Sequence, residues 1–191
     1  VTGANGSCTN TRTVSITVNS NPTVTAVSNP TAICAGATAT LTGSGASTYT
    51  WNPGALTGST TVVSPTVTTT YTVIGTTASG CSNTRTISLV VNSIPTITAT
   101  SSPTIICAGS SATLTGTGAS TYTWNPGALT GATIAVTPTA TTVYSVVGTS
   151  AAGCASPTRT INLTVTPIPT VTAVSNPTAI CAGSSATLTG S

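Results

Sequence analysis

A unit of about 73 residues recurs along this chain, and this recurrence limits what the chain can fold into. The segment ASTYTWNPGALTG occurs twice without change, from Ala46 and from Ala119. The six cysteines follow the same period in two series, which are Cys8, Cys81 and Cys154, and Cys34, Cys107 and Cys181. Such self-similarity predicts one small module that is used several times.

The period divides the chain into two whole copies and two fragments. We expect whole copies at residues 20–92 and 93–166, the C-terminal fragment of a copy at residues 1–19 and the N-terminal fragment of another at residues 167–191. The phase of the two ends favours a stretch of a longer covalent array. The alternative is strand exchange between separate chains, because nearly identical strand edges can pair with one another.

The composition leaves little material for catalysis or for bound ions. The chain contains no Asp, Glu or His, and its only charged side chains are three arginines. General acid–base catalysis and activated hydroxyl nucleophiles need such groups, so we expect no enzyme. Carboxylates are absent for calcium or magnesium and a closely spaced cysteine pair is absent for zinc, so we expect no cofactor.

The charge and the hydropathy also exclude two classes of partner. A net charge of +3 over 191 residues is too small for a nucleic-acid-binding surface, which needs clustered basic residues. No apolar run approaches the roughly 20 residues of a membrane helix. We therefore expect no nucleic-acid partner and no membrane insertion.

Alternating β-branched and polar residues predict short strands. In the copy at residues 20–92 we expect strands at Thr23–Val27, Ala37–Gly45, Thr48–Trp51, Thr60–Ser64, Thr68–Thr76 and Asn83–Asn92. Proline and glycine supply the turns between them. Six or seven short strands with turns every eight to twelve residues predict an all-β fold of small tandem β-sandwich domains, about 73 residues each.

The cysteines are expected to form one disulfide per domain. Tracing the strands up and down puts the first and the last turn of a copy at one end, with Cys34 at the first turn and Cys81 at the last. This predicts the pairs Cys34–Cys81 and Cys107–Cys154. The alternative pairs, Cys8–Cys34 and Cys81–Cys107, join one copy to the next. Six cysteines at fixed spacing without a metal pattern indicate an oxidising compartment.

The tryptophans and two of the tyrosines are predicted to lie in the core. Trp51 and Trp124 have the inward phase of their strand, which favours burial over stacking on sugar rings. Tyr71 and Tyr144 resemble the corner tyrosine that fastens a sandwich through its hydroxyl.

The three arginines occupy one position of the repeat, in NTRT, NTRT and PTRT, at Arg12, Arg85 and Arg159. One interpretation makes them solvated strand residues that discourage pairing between edges. The other makes them a regular lateral contact with a neighbouring chain or a glycan.

The ordered motifs ICAG, ATLTG, YTWNPG, TTYTV and SGCSNTRTISLVV, at constant spacing, resemble the Ig-like repeats of giant Bacteroidetes surface proteins. The resemblance covers essentially the whole chain. It implies Ig-like sandwiches in a secreted, cell-surface array, often exported by the type IX system and used in adhesion, gliding or filaments. The absence of acidic residues departs from that family and argues against calcium binding.

These observations predict a structural function. Very short proline-containing linkers between copies favour a stiff extracellular rod or filament on a bacterial surface, whose partners are other copies of the same protein. The main alternative is an adhesin whose repeats bind surface glycans directly. Ice binding, suggested by TxT spacings, is disfavoured because ice-binding solenoids repeat at much shorter intervals.

Overall fold

A computed structural model describes all residues from Val1 to Ser191 and contains strands but no helix, which confirms the all-β prediction. The strands are β1 (Thr2–Asn5), β2 (Cys8–Thr11), β3 (Thr25–Asn29), β4 (Ala32–Cys34), β5 (Ala39–Ser44), β6 (Thr48–Asn52), β7 (Leu56–Thr57), β8 (Thr60–Val63), β9 (Thr69–Thr76), β10 (Ser82–Asn92), β11 (Thr98–Ser102), β12 (Ile105–Cys107), β13 (Ala112–Thr117), β14 (Thr121–Asn125), β15 (Leu129–Thr130), β16 (Thr133–Val136), β17 (Thr142–Thr149), β18 (Arg159–Thr166), β19 (Ala173–Asn176) and β20 (Thr187–Gly190). The chain forms two compact units, Val1–Ser93 and Ile94–Ser191.

The first unit contains a sandwich of two sheets. One sheet has five strands in the order β4-β10-β9-β6-β7, and the other has three in the order β3-β5-β8. Side chains alternate between core and solvent along each strand, as in β6, where Tyr49 and Trp51 are buried and the residues between and beside them are exposed. The apolar set that faces inward forms one core, consisting of Val24, Ile33, Ala39, Leu41, Tyr49, Trp51, Val63, Tyr71, Val73 and Leu89.

The second unit repeats this arrangement. Its sheets have the orders β12-β18-β17-β14-β15 and β11-β13-β16. Its core consists of the corresponding residues Ile97, Ile106, Ala112, Leu114, Tyr122, Trp124, Val136, Tyr144, Val146 and Leu163. Two strand hairpins remain outside the sandwiches, β1–β2 near the N-terminus and β19–β20 near the C-terminus.

The strand order is that of an immunoglobulin-like sandwich. The first strand is divided at Pro30, so that β3 pairs with β5 in one sheet and β4 pairs with β10 in the other. Proline has no backbone N–H to donate to a ladder, which favours such a break. The pairing of β4 with β10 is parallel, with Cα partners Ala32↔Val90 and Cys34↔Asn92. The chain therefore enters the sandwich at one end and leaves it at the other.

The short strand β7 was not predicted from the sequence, and it changes the direction of the strands that follow. After the turn at Asn52-Pro53-Gly54, Leu56 and Thr57 run back along β6, with the Cα pairs Trp51↔Leu56 and Thr50↔Thr57. Each later strand then runs opposite to the direction that a simple up-and-down count gives it.

One inserted residue distinguishes the last hairpin of the second copy. Four residue steps separate Cys81 from Arg85, whereas five separate Cys154 from Arg159. The backbone N–H of Ser156 donates to the Gly148 carbonyl at 2.8 Å, and its Oγ accepts from the Gly148 N–H at 3.0 Å. This bulge accommodates the inserted residue, which makes the spacing from Cys107 to Cys181 one residue longer than the spacing from Cys34 to Cys107.

Candidate functional site: the cysteine-bearing ends of each sandwich

The two cysteines of a copy lie at opposite ends of its sandwich. In the first unit Cys34 ends β4 and lies opposite Asn92, the last residue of β10, whereas Cys81 directly precedes Ser82, the first residue of that strand. At about 3.3 Å per residue, a strand of 11 residues separates the two cysteines by roughly 35 Å. A disulfide needs Cα atoms within about 7 Å, so the predicted pair Cys34–Cys81 is wrong.

The second unit has the same arrangement. Cys107, the last residue of β12, lies opposite Thr166 at the end of β18, and Cys154 precedes the start of that strand at Arg159. The predicted pair Cys107–Cys154 is therefore wrong for the same reason. We call Cys34 and Cys107 the turn cysteines, and Cys81 and Cys154 the hairpin cysteines.

The oxidation states agree with this geometry. Cys34 and Cys154 are each disulfide-bonded. The remaining four cysteines are free thiols, namely Cys8, Cys81, Cys107 and Cys181. The alternative pairs of the sequence analysis, Cys8–Cys34 and Cys81–Cys107, are therefore not formed either.

Each turn cysteine begins a tight turn that is fastened to the end of the last strand. The Ala37 N–H donates to the Cys34 carbonyl at 2.9 Å, and Gly36 supplies the positive φ of 79° that the turn requires. The Ala35 N–H donates to the Asn92 carbonyl at 2.9 Å. The turn cysteine is thus held at the C-terminal end of the sandwich, where the chain leaves the domain.

Each hairpin cysteine is held by a hydroxyl. The Cys81 N–H donates to Thr77 Oγ1 at 3.1 Å, and the Thr77 N–H donates to the Cys81 carbonyl at 2.8 Å. In the second unit Ser150 replaces the threonine, and its Oγ accepts from the Cys154 N–H at 3.1 Å. The same turn therefore presents the cysteine in both copies.

The first unit shows that the hairpin cysteine lies beside the segment through which the chain enters the sandwich. The Cys81 thiol donates weakly to the Asn19 carbonyl at 3.6 Å. Close by, Asn83 Nδ2 donates to the Pro22 carbonyl at 3.0 Å. These two contacts tie the last hairpin to residues that precede the first strand.

Both tryptophans lie in the cores. Trp51 and Trp124 are 0% exposed, and their indole N–H groups donate to the Gly58 and Gly131 carbonyls at 3.0 and 2.9 Å. Their rings cannot serve as platforms for sugars.

The tyrosines divide into two pairs with different roles. Tyr71 and Tyr144 are buried in the cores as expected, but their hydroxyl groups have no protein partner, so the corner role assigned to them is wrong. That role belongs to Tyr49, whose hydroxyl donates to the Ala46 carbonyl at 2.9 Å and accepts from the Ala46 N–H at 2.7 Å. The duplicated segment ASTYTW, in which this tyrosine follows alanine by three residues, is the signal that sequence reasoning missed.

The three arginines are exposed, and the chain has no acidic side chain to pair with them. Arg85 lies opposite Val73 and Arg159 opposite Val146, so the position repeats in both sandwiches. Their lateral contact with a neighbouring chain or glycan stays a prediction.

The described side chains include no cluster of three or more potential metal ligands. No helix is present that could cross a membrane. Among the repeated features, the cysteines alone offer covalent chemistry, which is thiol–disulfide exchange.

Neither a protein-family model nor a curated protein matches this sequence. Among solved structures, the three N-terminal domains of the highly immunogenic outer capsid protein (Hoc) of bacteriophage RB49 are similar, with 18% identity and a TM-score of 0.40 over 81% of this chain and 61% of that chain. This chain therefore spans less than two thirds of that structure.

Two further solved structures are similar at comparable levels. A structure of a 1.5-MDa bacterial ice-binding adhesin has 19% identity and a TM-score of 0.41, covering 82% of this chain and 70% of that chain. Fibronectin(III)-like modules of Clostridium thermocellum CbhA have 10% identity and a TM-score of 0.41, covering 75% of this chain and 95% of that chain. At these identities the likenesses concern the fold, and none of them assigns a function to this chain.

Proposed function

We propose that this chain is a stretch of a structural repeat array that forms a stiff rod or filament outside a bacterial cell. The observation that carries the proposal is the path of the chain through each sandwich. In the first unit β3 begins at one end, and β10, parallel to β4, finishes at the other end beside Cys34. Repetition of a domain that the chain enters and leaves at opposite ends extends the array with each copy.

Short linkers support stiffness. The last strand of the first copy ends at Asn92, and β11 of the next begins at Thr98. Ile97, directly before that strand, is only 2% exposed and belongs to the second core. Pro95 fixes its own φ within the few residues that remain, so little freedom is left for a hinge.

The composition supports a structural rather than a catalytic role. No side chain of the sandwich surfaces is a carboxylate, a lysine or an imidazole, and the exposed polar groups are mainly hydroxyls and amides. The resemblance to Ig-like repeats of Bacteroidetes surface proteins extends the proposal to a location on the cell surface and to export by the type IX system. The partners are then further copies of the same repeat protein.

Small-angle scattering and electron microscopy test the rod. The strand β10 has 11 residues, so each added copy is expected to lengthen the particle by roughly 35–40 Å. Arrays of two, four and six copies, prepared under oxidising conditions, should give maximum dimensions that rise linearly with copy number. A dimension that grows only as the square root of copy number, as for a flexible coil, would contradict the proposal.

A matched control variant distinguishes the effect of a stiff junction on particle length from the effect of domain size. Insertion of ten Gly and Ser residues between Ser93 and Ile94 lies outside both cores and, after reduction of the disulfides, should make that junction flexible. A glycan array probed with the unaltered chain tests the alternative function. Binding of the chain to glycans on the array would support the alternative in which the repeats bind glycans directly.

A further inference from the structure

We propose that the second sandwich carries a binding pocket for the acetamido group of a neutral N-acetylated sugar. The pocket is a cavity of about 400 Å³ that is lined by the turn after β14, by the end of β16 and by one side chain of β17. We call it the Tyr144 pocket and use six of its lining residues, which are Pro126, Leu129, Val136, Thr137, Pro138 and Tyr144. The inference concerns one sandwich and does not depend on the rod.

The hydroxyl of Tyr144 is free to bond to a ligand. Tyr144 is only 6% exposed, and its hydroxyl has no hydrogen-bond partner in the protein. The two side-chain polar atoms that are enclosed without a partner are the Oγ atoms of Ser28 and Ser101, so the Tyr144 hydroxyl is not enclosed. The open space that this side chain lines is the pocket. An unpartnered polar group at the wall of an apolar cavity is the usual element that orients a ligand.

The chemistry of the pocket requires an uncharged acceptor on the ligand. Burial raises the pKa of the Tyr144 hydroxyl above 10.0, so at neutral pH it keeps its proton and can donate it in a hydrogen bond. No charged side chain lines the pocket, and a charged ligand group would therefore lose water without gaining a partner. A carbonyl oxygen meets the requirement, because it accepts a hydrogen bond and carries no charge.

The walls around the hydroxyl require an apolar group on the ligand as well. Pro126 and Leu129 line the pocket beside the buried Val136. Leu129 is 38% exposed, so part of its apolar surface is not used by the core of the sandwich. A methyl group placed against these side chains would remove apolar surface from water on both sides. An acetamido group carries a methyl group and a carbonyl oxygen on the same carbon atom, which matches both features of the pocket.

The surroundings of the pocket favour a sugar over a peptide as the carrier of that group. Extended peptides are commonly held by main-chain hydrogen bonds along a sheet edge. The strands that border the pocket, β15 and β16, have only two and four residues, which leaves a short ladder for an added strand. The exposed Thr137 also lines the pocket, and its hydroxyl can bond to a sugar hydroxyl.

The turn that forms one wall is held in the same unusual conformation in both copies. Ala128 has a positive φ of 48°, and Ala55 has the same value in the first copy. Such a conformation costs a residue with a side chain about 1–3 kcal/mol and is found where the surrounding structure imposes it, often at binding sites. The turn belongs to the segment that is repeated without change. The corresponding residues of the first copy are Pro53, Leu56, Val63, Ser64, Pro65 and Tyr71.

Saturation-transfer NMR on the whole oxidised chain tests the class of ligand, with N-acetylglucosamine as the probe. We expect the strongest transfer at the acetyl methyl protons, because that group enters the pocket. Glucose and glucosamine lack the acetyl group and are the matched probes, for which we expect no transfer. Equal transfer to glucose would overturn the proposal. Tighter binding of the blocked residue N-acetylalanine methylamide than of the sugar would show a peptide site and would also overturn it.

Tyrosine variants test the role of the hydroxyl. The double variant Tyr71→Phe and Tyr144→Phe removes the hydroxyl from both copies, and we expect the Kd for N-acetylglucosamine to rise about 3- to 10-fold. The matched control Thr50→Val and Thr123→Val removes one exposed hydroxyl per copy from β6 and β14, and the Kd should not change. An unchanged Kd in the tyrosine variant would overturn the proposal.

A third measurement locates the site without any variant. On addition of N-acetylglucosamine to the unaltered chain, the backbone amide signals of Leu129 and Thr137 should shift in two-dimensional NMR spectra. Shifts confined to residues outside the pocket would overturn the assignment. Scattering decides the rod separately, because a rigid or a flexible array can carry this pocket. Binding here would give the glycan-binding alternative a defined site.

Discussion

Buried aromatic residues stabilise the interior of each sandwich through packing and hydrogen bonds. Trp51 fills the core and satisfies its single N–H on the Gly58 carbonyl, which removes the cost of burying a polar group. Tyr49 closes the loop before its own strand by bonding both backbone groups of Ala46. Tyr71 contributes its ring alone, and burial raises the pKa of its hydroxyl above the usual 10.0.

The hydroxyl of Tyr49 is expected to stabilise the fold measurably. Tyr49→Phe leaves the partly buried N–H and carbonyl of Ala46 without their partner, so the free energy of unfolding should fall by about 1–2 kcal/mol. Urea denaturation followed by tryptophan fluorescence measures the change. Tyr71→Phe is the matched control and should alter the free energy by less than about 0.5 kcal/mol, because its hydroxyl has no protein partner. Equal losses in the two variants would contradict the assignment.

Strands in this protein approach closely where the sequence provides glycine. In β9, Gly75 faces the segment that enters the first sandwich, and a Cβ atom there would meet Val24 Cγ2 at 2.6 Å and Ala46 Cβ at 2.8 Å. Gly148 of β17 has the corresponding place, against Ile97 and Ala119. The absence of a side chain at this position allows the residues before the first strand to pack against the five-stranded sheet.

The substitution Gly75→Ala is expected to destabilise the first sandwich. The added methyl group would lie less than 3 Å from the side chains of Val24 and Ala46, and overpacking of this kind costs about 1–3 kcal/mol. Thermal unfolding by circular dichroism should show a lower Tm. Gly3→Ala serves as control, because no atom lies within 4 Å of a Cβ at that strand position. A Tm for Gly75→Ala that matches the control would show that the close contact is not important.

The whole molecule has no Asp, Glu, His or Lys side chain, and this determines its response to pH in the acid and neutral range. Acid unfolding usually results from carboxylates or histidines whose pKa differs between folded and unfolded states, and this chain has none. Its stability should therefore be nearly constant from about pH 2 to 8. Burial raises the pKa of Tyr71 and Tyr144 in the folded state, so the unfolded chain loses these protons first. Stability should then decline as the pH rises above 10 and through the folded pKa values.

Chemical denaturation between pH 2 and 11.5, after alkylation of the free thiols, measures this profile. The double variant Tyr71→Phe and Tyr144→Phe should weaken the alkaline decline and leave the acid range unchanged. A cooperative loss of structure between pH 2 and 8 would contradict the prediction.

Local patterns made much of the fold predictable. The strands expected at Thr48–Trp51 and Asn83–Asn92 appear as β6 and β10, because alternation of apolar and polar residues is imposed by the strand itself. The burial of Trp51 and Trp124 followed from the same alternation.

The alternation of apolar and polar residues does not show in which direction each strand runs through the sandwich. The two-residue strand β7 is too short to show alternation, yet it reverses every strand after it and moves Cys81 to the end opposite Cys34. A wrong count of strands therefore gave the wrong disulfides.

The sequence by itself determined the repeated module, its strand composition, the core aromatic residues and the absence of acidic, histidine and lysine side chains, since these depend on residue type and local spacing. Tertiary structure alone placed the two cysteines of a copy at opposite ends of their sandwich. That outcome depends on the parallel pairing of β4 with β10, two strands almost a whole copy apart in sequence. Contacts of such long range follow from the direction of every strand between them, which no single segment encodes.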